Sequence, residues 1–111
     1  MAGIIDHRAS DGSRQFAELP QTLLWYDVRD HIPQLDGAKL TAFVCDGITE
    51  AWIDFEYCGH KFSINDQFGQ YWFFVTDPSC PDLVLLEVYG HFRQLLERDF
   101  DDSRDRDTPC N

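Results

Sequence analysis

The sequence is poor in basic residues and has no long apolar run. Nine Lys and Arg stand against twenty Asp and Glu, which gives a formal net charge of −11. Such a charge repels nucleic-acid phosphates and anionic lipids, and it attracts basic surfaces. No apolar stretch reaches the length that crosses a bilayer, and the first residues lack the basic and apolar segments of an export signal. We therefore expect a cytoplasmic protein that binds neither nucleic acid nor membrane.

The cysteines lack the spacing of a metal site. Cys45, Cys58, Cys80 and Cys110 include no Cys-x-x-Cys pair, whereas structural zinc sites are usually built from closely spaced ligands. His60 lies two residues after Cys58, but these two side chains do not complete a coordination set. Because an export signal is missing, the thiols are expected to stay reduced. We expect no bound metal and no cofactor.

Possible nucleophiles are present but have no accompanying catalytic motif. Cys58 lies near His60, and Cys80 lies beside Ser79 at a predicted helix start, where a thiol pKa can be lowered. Neither thiol is accompanied by an activating sequence or an oxyanion loop. The sequence therefore leaves catalytic activity uncertain and favours a protein without it.

Asp54 and Glu56 form a pair of carboxylates on one face of a predicted strand, an arrangement that acid–base catalysis can use. The predicted strand pairing puts Asp54 opposite Lys39, where a solvated cross-strand ion pair would form. Exposed pairs of this kind are common on sheets. We therefore interpret the two carboxylates as surface groups.

An aromatic-rich region between Lys39 and Thr76 predicts an antiparallel meander of four strands. Apolar and polar residues alternate along it, so that one face of the sheet, the inner face, is apolar. Three turn signals agree on this face: Asp46-Gly47, Gly59-His60 and a four-residue loop over 66–69. The predicted core residues are Phe55, Tyr57, Phe62, Ile64, Tyr71 and Phe73.

The three predicted turns also define which residues lie opposite one another. The first turn pairs Ala42 with Ala51, the second pairs Phe55 with Ile64, and the loop pairs Ile64 with Tyr71. A shift of one residue in any pairing would move the apolar residues to the other face. The pairings are thus predictions that a structure tests directly.

Helices are predicted on both sides of the meander. The first covers Pro20 to about His31, and the second begins near Ser79 and Asp82, at capping-box-like spacing, and continues to about Arg98. The order α-β-β-β-β-α predicts a two-layer α+β domain in which the meander packs against helices. The predicted divisions of the chain are a mostly disordered N-terminal arm over 1–18, a single domain over 19–99 and a disordered acidic tail over 100–111.

The outer face of the meander, opposite the core, carries aromatic residues, including Phe43, where polar ones are expected. An aromatic centre bordered by carboxylates is typical of a protein-binding surface for a basic, apolar partner. In the predicted pairing, Trp72 lies opposite Ser63. The aromatic face is equally compatible with cover by the first helix or the N-terminal arm, and with pairing of two copies of the chain. The candidate partner-binding residues are Trp52, Asp54, Glu56, Ser63, Trp72 and Phe74.

Three classes of function are compatible with these features. The favoured one is a small acidic, non-catalytic domain that binds a basic protein partner, as immunity proteins, inhibitors and dedicated chaperones do. The alternative is a small enzyme or ligand-binding domain with a pocket between sheet and helices. The third is RNA binding, because helix, meander and helix resemble in order the double-stranded-RNA-binding fold. With Lys39 and Lys61 as the only basic residues of the strands, the sequence argues against phosphate contacts.

Overall fold

A computed structural model describes residues 4–45 and 51–97 of the chain. Its strands form one antiparallel sheet in the order β1-β2-β6-β5-β4-β3. The predicted α+β class with an antiparallel sheet is confirmed. The elements are β1 (His7–Arg8), β2 (Arg14–Pro20), α1 (Trp25–His31), a 3-10 turn (Ile32–Gln34), β3 (Lys39–Cys45), β4 (Ala51–Tyr57), β5 (His60–Gln67), β6 (Gln70–Val75) and α2 (Asp82–Leu96).

Strand β2 lies inside the sheet, between β1 and β6, although its residues up to Glu18 were expected to belong to a mobile arm. A bulge between Gln15 and Ala17 breaks the two-residue alternation. Phe16 and Ala17 therefore both turn to the inner face and are buried. Because of the bulge, the apolar residues of β2 do not alternate strictly along the sequence, so the sequence pattern did not predict this strand. The predicted tail over 100–111 lies outside the described residues.

Helix α1 begins at Trp25 rather than at Pro20, because Pro20 is the last residue of β2. The carboxylate of Asp27 accepts a hydrogen bond from the Leu24 backbone N–H at 3.2 Å, which satisfies one free donor at the helix start. The helix is short, so its stability depends on packing against the rest of the domain.

The two later hairpins of the meander have other registers than predicted. The turn after β4 is shifted by one residue, and the loop after β5 has two residues instead of four. Each observed pairing differs from the predicted one by two residues, so every side chain keeps its predicted face. All six predicted core residues are buried or nearly so. The observed turns are the two-residue loops 58–59 and 68–69, and the observed pairs are Phe55 with Phe62, Ile53 with Ile64, Ile64 with Phe73 and Phe62 with Val75.

The first hairpin of the meander differs more from its prediction. The expected pairing of Ala42 with Ala51 is wrong, because Ala42 lies opposite Asp54. The shift moves Phe43 to the inner face, where it packs partly buried against the core. The predicted Asp46-Gly47 turn lies outside the described residues.

The inner face carries the hydrophobic core and contacts both helices. Phe92 of α2 contacts the rings of Phe55 and Phe73, with centroid distances of 5.8 and 5.1 Å. Trp25 of α1 meets Tyr71 on the same face, at a centroid distance of 4.8 Å. Helix α1 therefore packs on the inner face, beside α2, and not on the outer aromatic face.

A pair of histidines joins the two helices. The rings of His31 and His91 stack with their centroids 3.8 Å apart. Nε2 of each ring lies 2.8 or 2.7 Å from the backbone carbonyl oxygen of the other residue. A carbonyl oxygen can only accept, so each Nε2 carries a proton and donates it. These reciprocal bonds hold α1 against α2.

Helix α2 starts at Asp82 after Pro81, close to the predicted start. The proposed capping role of Ser79 is not observed, since its backbone N–H and hydroxyl both donate to the carboxylate of Asp77, at 2.9 and 2.7 Å. Neither helix in the described parts of the chain is long and apolar enough to cross a membrane.

Candidate protein-binding surface

The six candidate partner-binding residues lie on the outer face of the sheet. Asp54 on β4 is directly opposite Ser63 on β5, which is in turn opposite Phe74 on β6. Trp52 and Glu56 flank Asp54 on the same face of β4, and Trp72 lies two residues before Phe74 on β6, because alternate residues of a strand share a face. The register thus brings aromatic rings and carboxylates from three neighbouring strands onto one surface.

Asp54 has a different neighbour from the one predicted. Its Oδ1 accepts a hydrogen bond from the Ser63 hydroxyl at 2.7 Å. Lys39, which was expected opposite Asp54, lies opposite Glu56 instead, and so does Lys61. Glu56 therefore has two lysines as neighbours, while no ion pair within the described residues includes Asp54.

Asn65 is a residue of this surface that the sequence pattern did not single out. It lies opposite Trp72, where Ser63 was predicted, and on the other side it neighbours Trp52, since Ile64 pairs with Ile53. Its Oδ1 is buried and has no hydrogen-bond partner in the described structure. A buried acceptor left unpaired costs about 1–3 kcal/mol. A polar residue in mid-strand, between aromatic ones, is the signal that could have identified it.

An open depression of about 510 Å³ lies on the outer face. Its floor includes Trp52, Asp54, Asn65 and Phe74, and the turn between β1 and β2 contributes Asp11 to one wall. The volume lies within the range of ligand-binding clefts. The lining combines aromatic rings with oxygen acceptors, a composition that suits a partly apolar group that carries hydrogen-bond donors.

Asp11 keeps its charge at this wall. Its Oδ1 accepts hydrogen bonds from the backbone N–H and the hydroxyl of Ser13, at 2.9 and 2.7 Å. These bonds, the backbone one first, lower the pKa of the Asp11 carboxyl below its ordinary value. The wall of the depression is therefore negative at neutral pH.

The two thiols that the sequence offered as nucleophiles, Cys58 and Cys80, lie in different surroundings. Cys80 is buried, and burial raises the pKa of its thiol, which keeps it protonated and weakly nucleophilic. Cys58 is exposed in the two-residue turn between β4 and β5. The described residues contain no group of three or more His, Cys, Asp or Glu side chains that could hold a metal ion.

Within the described residues, the outer face combines partly exposed aromatic rings, the carboxylates of Asp11 and Asp54, which belong to no ion pair, and the buried Oδ1 of Asn65, which accepts no hydrogen bond. Comparisons of the chain with protein-family models, with curated proteins and with solved structures found no match.

Proposed function

We propose that this chain is a small acidic, non-catalytic domain that binds a basic partner protein on the outer face of its sheet. One observation carries the proposal. Trp52, Trp72 and Phe74 stay only partly buried on a face from which both helices are absent. Large aromatic side chains in contact with water are unfavourable for an isolated domain and are typical of binding surfaces.

The aromatic residues supply the apolar part of the proposed contact. Trp and Tyr are enriched among residues that dominate binding energies, because they bury a large area at a small cost in side-chain entropy. Trp72 and Phe74 are two residues apart on β6, and Trp52 lies two strands away on β4. A partner that covers this width would contact all three rings.

The charge of the surface supports the proposal of a basic partner. Glu18 lies opposite Trp72, and Asp11 and Asp54 line the depression. None of these acids belongs to an ion pair within the described residues, whereas four arginines pair with acids elsewhere. Unneutralised carboxylates around an aromatic centre attract a positive surface and speed its association.

The other proposal, an enzyme or ligand-binding domain with a pocket between sheet and helices, has less support. The rings of Phe16, Phe55, Phe73 and Phe92 fill that space and are almost wholly buried. Close-packed interiors hold few voids larger than a water molecule. The depression that could accept a partner lies on the outer face instead.

The test begins with capture of partners by the tagged full-length chain in the cells that produce it, with cross-linking. Each captured protein is purified, and its affinity for the chain is measured by calorimetry. We expect a basic protein whose binding weakens about 30-fold with Trp72→Ala, as for a residue that contributes about 2 kcal/mol. Raising the NaCl concentration from about 0.05 to about 0.5 M should also weaken binding of the wild-type chain, because salt screens the attraction between its carboxylates and the basic partner.

Tyr26→Ala is the matched control, because Tyr26 is an aromatic residue of α1 that is 50% exposed. It should bind like the wild type. Urea denaturation shows whether each variant is folded. If Trp72→Ala and Asp54→Asn both bind with wild-type affinity, the outer face is not the binding site. If sedimentation instead shows a dimer that Trp72→Ala dissociates, the face pairs two copies of the chain.

A further inference from the structure

The tip of the hairpin between β5 and β6 combines an uncommon residue with an uncommon conformation. Its two loop residues, Phe68 and Gly69, have φ angles of +52° and +78°. Two-residue hairpin loops of type I′ require left-handed angles at both residues, and Asn, Asp or Gly is preferred at the first position. A bulky aromatic residue there is an outlier, because its Cβ crowds the following carbonyl.

Phe68 also contributes very little burial to the fold. The residue is 92% exposed, more than any other large hydrophobic residue in the described parts of the chain. Neither local conformational preference nor the hydrophobic effect in the isolated chain accounts for a phenylalanine at this position. Strained and exposed residues of this kind are characteristic of binding sites.

The position of the tip connects it to the outer face. The Phe68 ring lies 6.3 Å from the ring of Trp72, centroid to centroid. Phe68, Trp72 and Phe74 therefore form an aromatic strip that continues from the sheet to the end of the hairpin. The Gln21 backbone N–H donates to the carbonyl oxygen of Gly69 at 3.1 Å, which ties the tip to the chain after β2. The backbone of the tip is thus attached to the rest of the domain.

An acidic group borders this end of the strip. Glu18 lies opposite Trp72 on β2. Its carboxylate takes part in no ion pair in the parts of the chain that the structure describes. Asp66, by contrast, lies opposite Tyr71 and so on the inner face, where its carboxylate accepts a hydrogen bond from the Gln21 amide at 3.2 Å. A surface that complements this end is apolar at its centre and basic at its edge.

We infer that Phe68 is the anchor residue of the interface, and that it inserts into an apolar pocket rimmed by Lys or Arg on the partner protein. The inference rests on the proposed function and adds the residue that fixes the partner's position. An exposed aromatic side chain on a short, hydrogen-bonded turn enters a pocket with less loss of conformational freedom than one on a long loop. The strain of the turn is then a cost of the free domain that binding energy offsets.

One variant, Phe68→Asn, tests the inference through two measurements: the thermal stability of the domain and its affinity for the partner protein. Phe68→Asn places a preferred residue in the turn, so the Tm should rise by about 4 °C. The same variant should bind the captured basic protein at least about 10-fold more weakly. A residue with a purely structural role would not show these opposite changes. A fall in the Tm would overturn the argument from conformation.

Cys58→Asn is the matched control. Cys58 is also exposed, has a φ of +54° and precedes a glycine in a two-residue turn. Its turn joins β4 and β5, at the opposite end of β5 from the turn of Phe68. The Cys58 variant should raise the Tm by a similar amount and leave affinity within about twofold of the wild type. Loss of binding with this variant would show that turn substitution itself disturbs the interface.

A photoreactive phenylalanine at position 68 identifies what the side chain touches. In the cells that produce the chain, it should cross-link to a basic protein, at apolar residues near Lys or Arg, while the same group at position 26 should not. A cross-link to a second copy of this chain, to lipid only, or no cross-link overturns the inference. If Phe68→Asn binds with wild-type affinity but Trp72→Ala does not, the anchor role of Phe68 is wrong and the proposed function stands. If both variants bind with wild-type affinity, the anchor role and the proposed function are both wrong.

Discussion

Phe73 and Phe74 are neighbours in β6, but they face opposite sides of the sheet. Phe73 is 1% exposed and contacts the rings of Phe16 and Phe92. Phe74 lies between Gln15 and Ser63 and keeps part of its surface in water. The two residues share their chemistry and differ in what packs on them. An apolar residue in a strand therefore indicates a surface to be covered, but not whether this chain or a partner covers it.

Replacing each phenylalanine by alanine should give the largest difference between the two faces. Phe73→Ala removes a fully packed ring, and the free energy of unfolding should fall by about 3–5 kcal/mol. Phe74→Ala should lower it by only about 1 kcal/mol, since water already reaches that ring. Urea denaturation followed by tryptophan fluorescence measures both. Equal losses would show that the outer face is covered within the folded domain and would remove the basis of the proposed interface.

If Phe73→Ala does not fold, Phe73→Leu provides the same comparison at a smaller scale. It keeps most of the apolar volume and should lower the free energy of unfolding by about 1–2 kcal/mol. Phe74→Leu should change it by less than about 0.5 kcal/mol.

A second difference between the faces concerns the hydroxyl of Tyr71. Burial on the inner face raises the pKa of Tyr71 to about 12, whereas an unfolded tyrosine titrates near pH 10. The folded state therefore binds this proton more tightly, and its contribution to stability is complete below about pH 10. That contribution should disappear as the pH rises from about 10 towards 12.

Tyr71→Phe tests this contribution. The variant loses the hydrogen bond that the hydroxyl donates to the Leu23 carbonyl oxygen at 2.6 Å. At neutral pH we expect a loss of about 1 kcal/mol in the free energy of unfolding. Between about pH 10 and 12 its decline in stability should be less steep than that of the wild type. Urea midpoints from pH 8 to 12 measure both effects, and parallel declines would contradict the assignment.

The smallest expected effects concern two carboxylates of the outer face, those of Glu56 and Asp54, which should differ in their importance for binding. Glu56 has Lys39 and Lys61 opposite it, so Glu56→Gln should change the free energy of unfolding by less than about 0.5 kcal/mol and affinity by less than about twofold. Asp54→Asn should weaken binding of the basic partner about 10-fold, because Asp54 has no such neighbours and lines the depression. Calorimetry on the two variants distinguishes them. An equal loss of affinity would mean that net charge alone governs association.

The inner face of the meander could be predicted from the sequence, but not all of its pairings. Two pairings were wrong by two residues, which preserved the face of every side chain. The pairing of β3 with β4 was wrong in a way that moved Phe43 from the outer to the inner face. Turn sequences determine register only when the loop length is known.

The sequence identified only part of the candidate surface, because the observed loop lengths and strand pairings differ from the predicted ones. Alternation along the strands assigned Trp52, Trp72 and Phe74 to one face before any pairing was known. It did not show that Asn65 lies beside Trp72 with an unpaired oxygen. Nor did it identify Phe68. In the predicted four-residue loop that residue has no required backbone conformation, whereas in the observed two-residue loop it has a left-handed one.

By itself, the sequence determined the α+β class and which residues of β4, β5 and β6 share a face, because alternation follows from the covalent geometry of an extended chain. Only the tertiary structure decided that β2 enters the sheet beside β6 and that α1 packs beside α2 on the inner face. These choices depend on contacts between residues far apart in the chain, such as Phe16 with Phe62. Their free energy depends on all the elements that pack together, and no local pattern contains it.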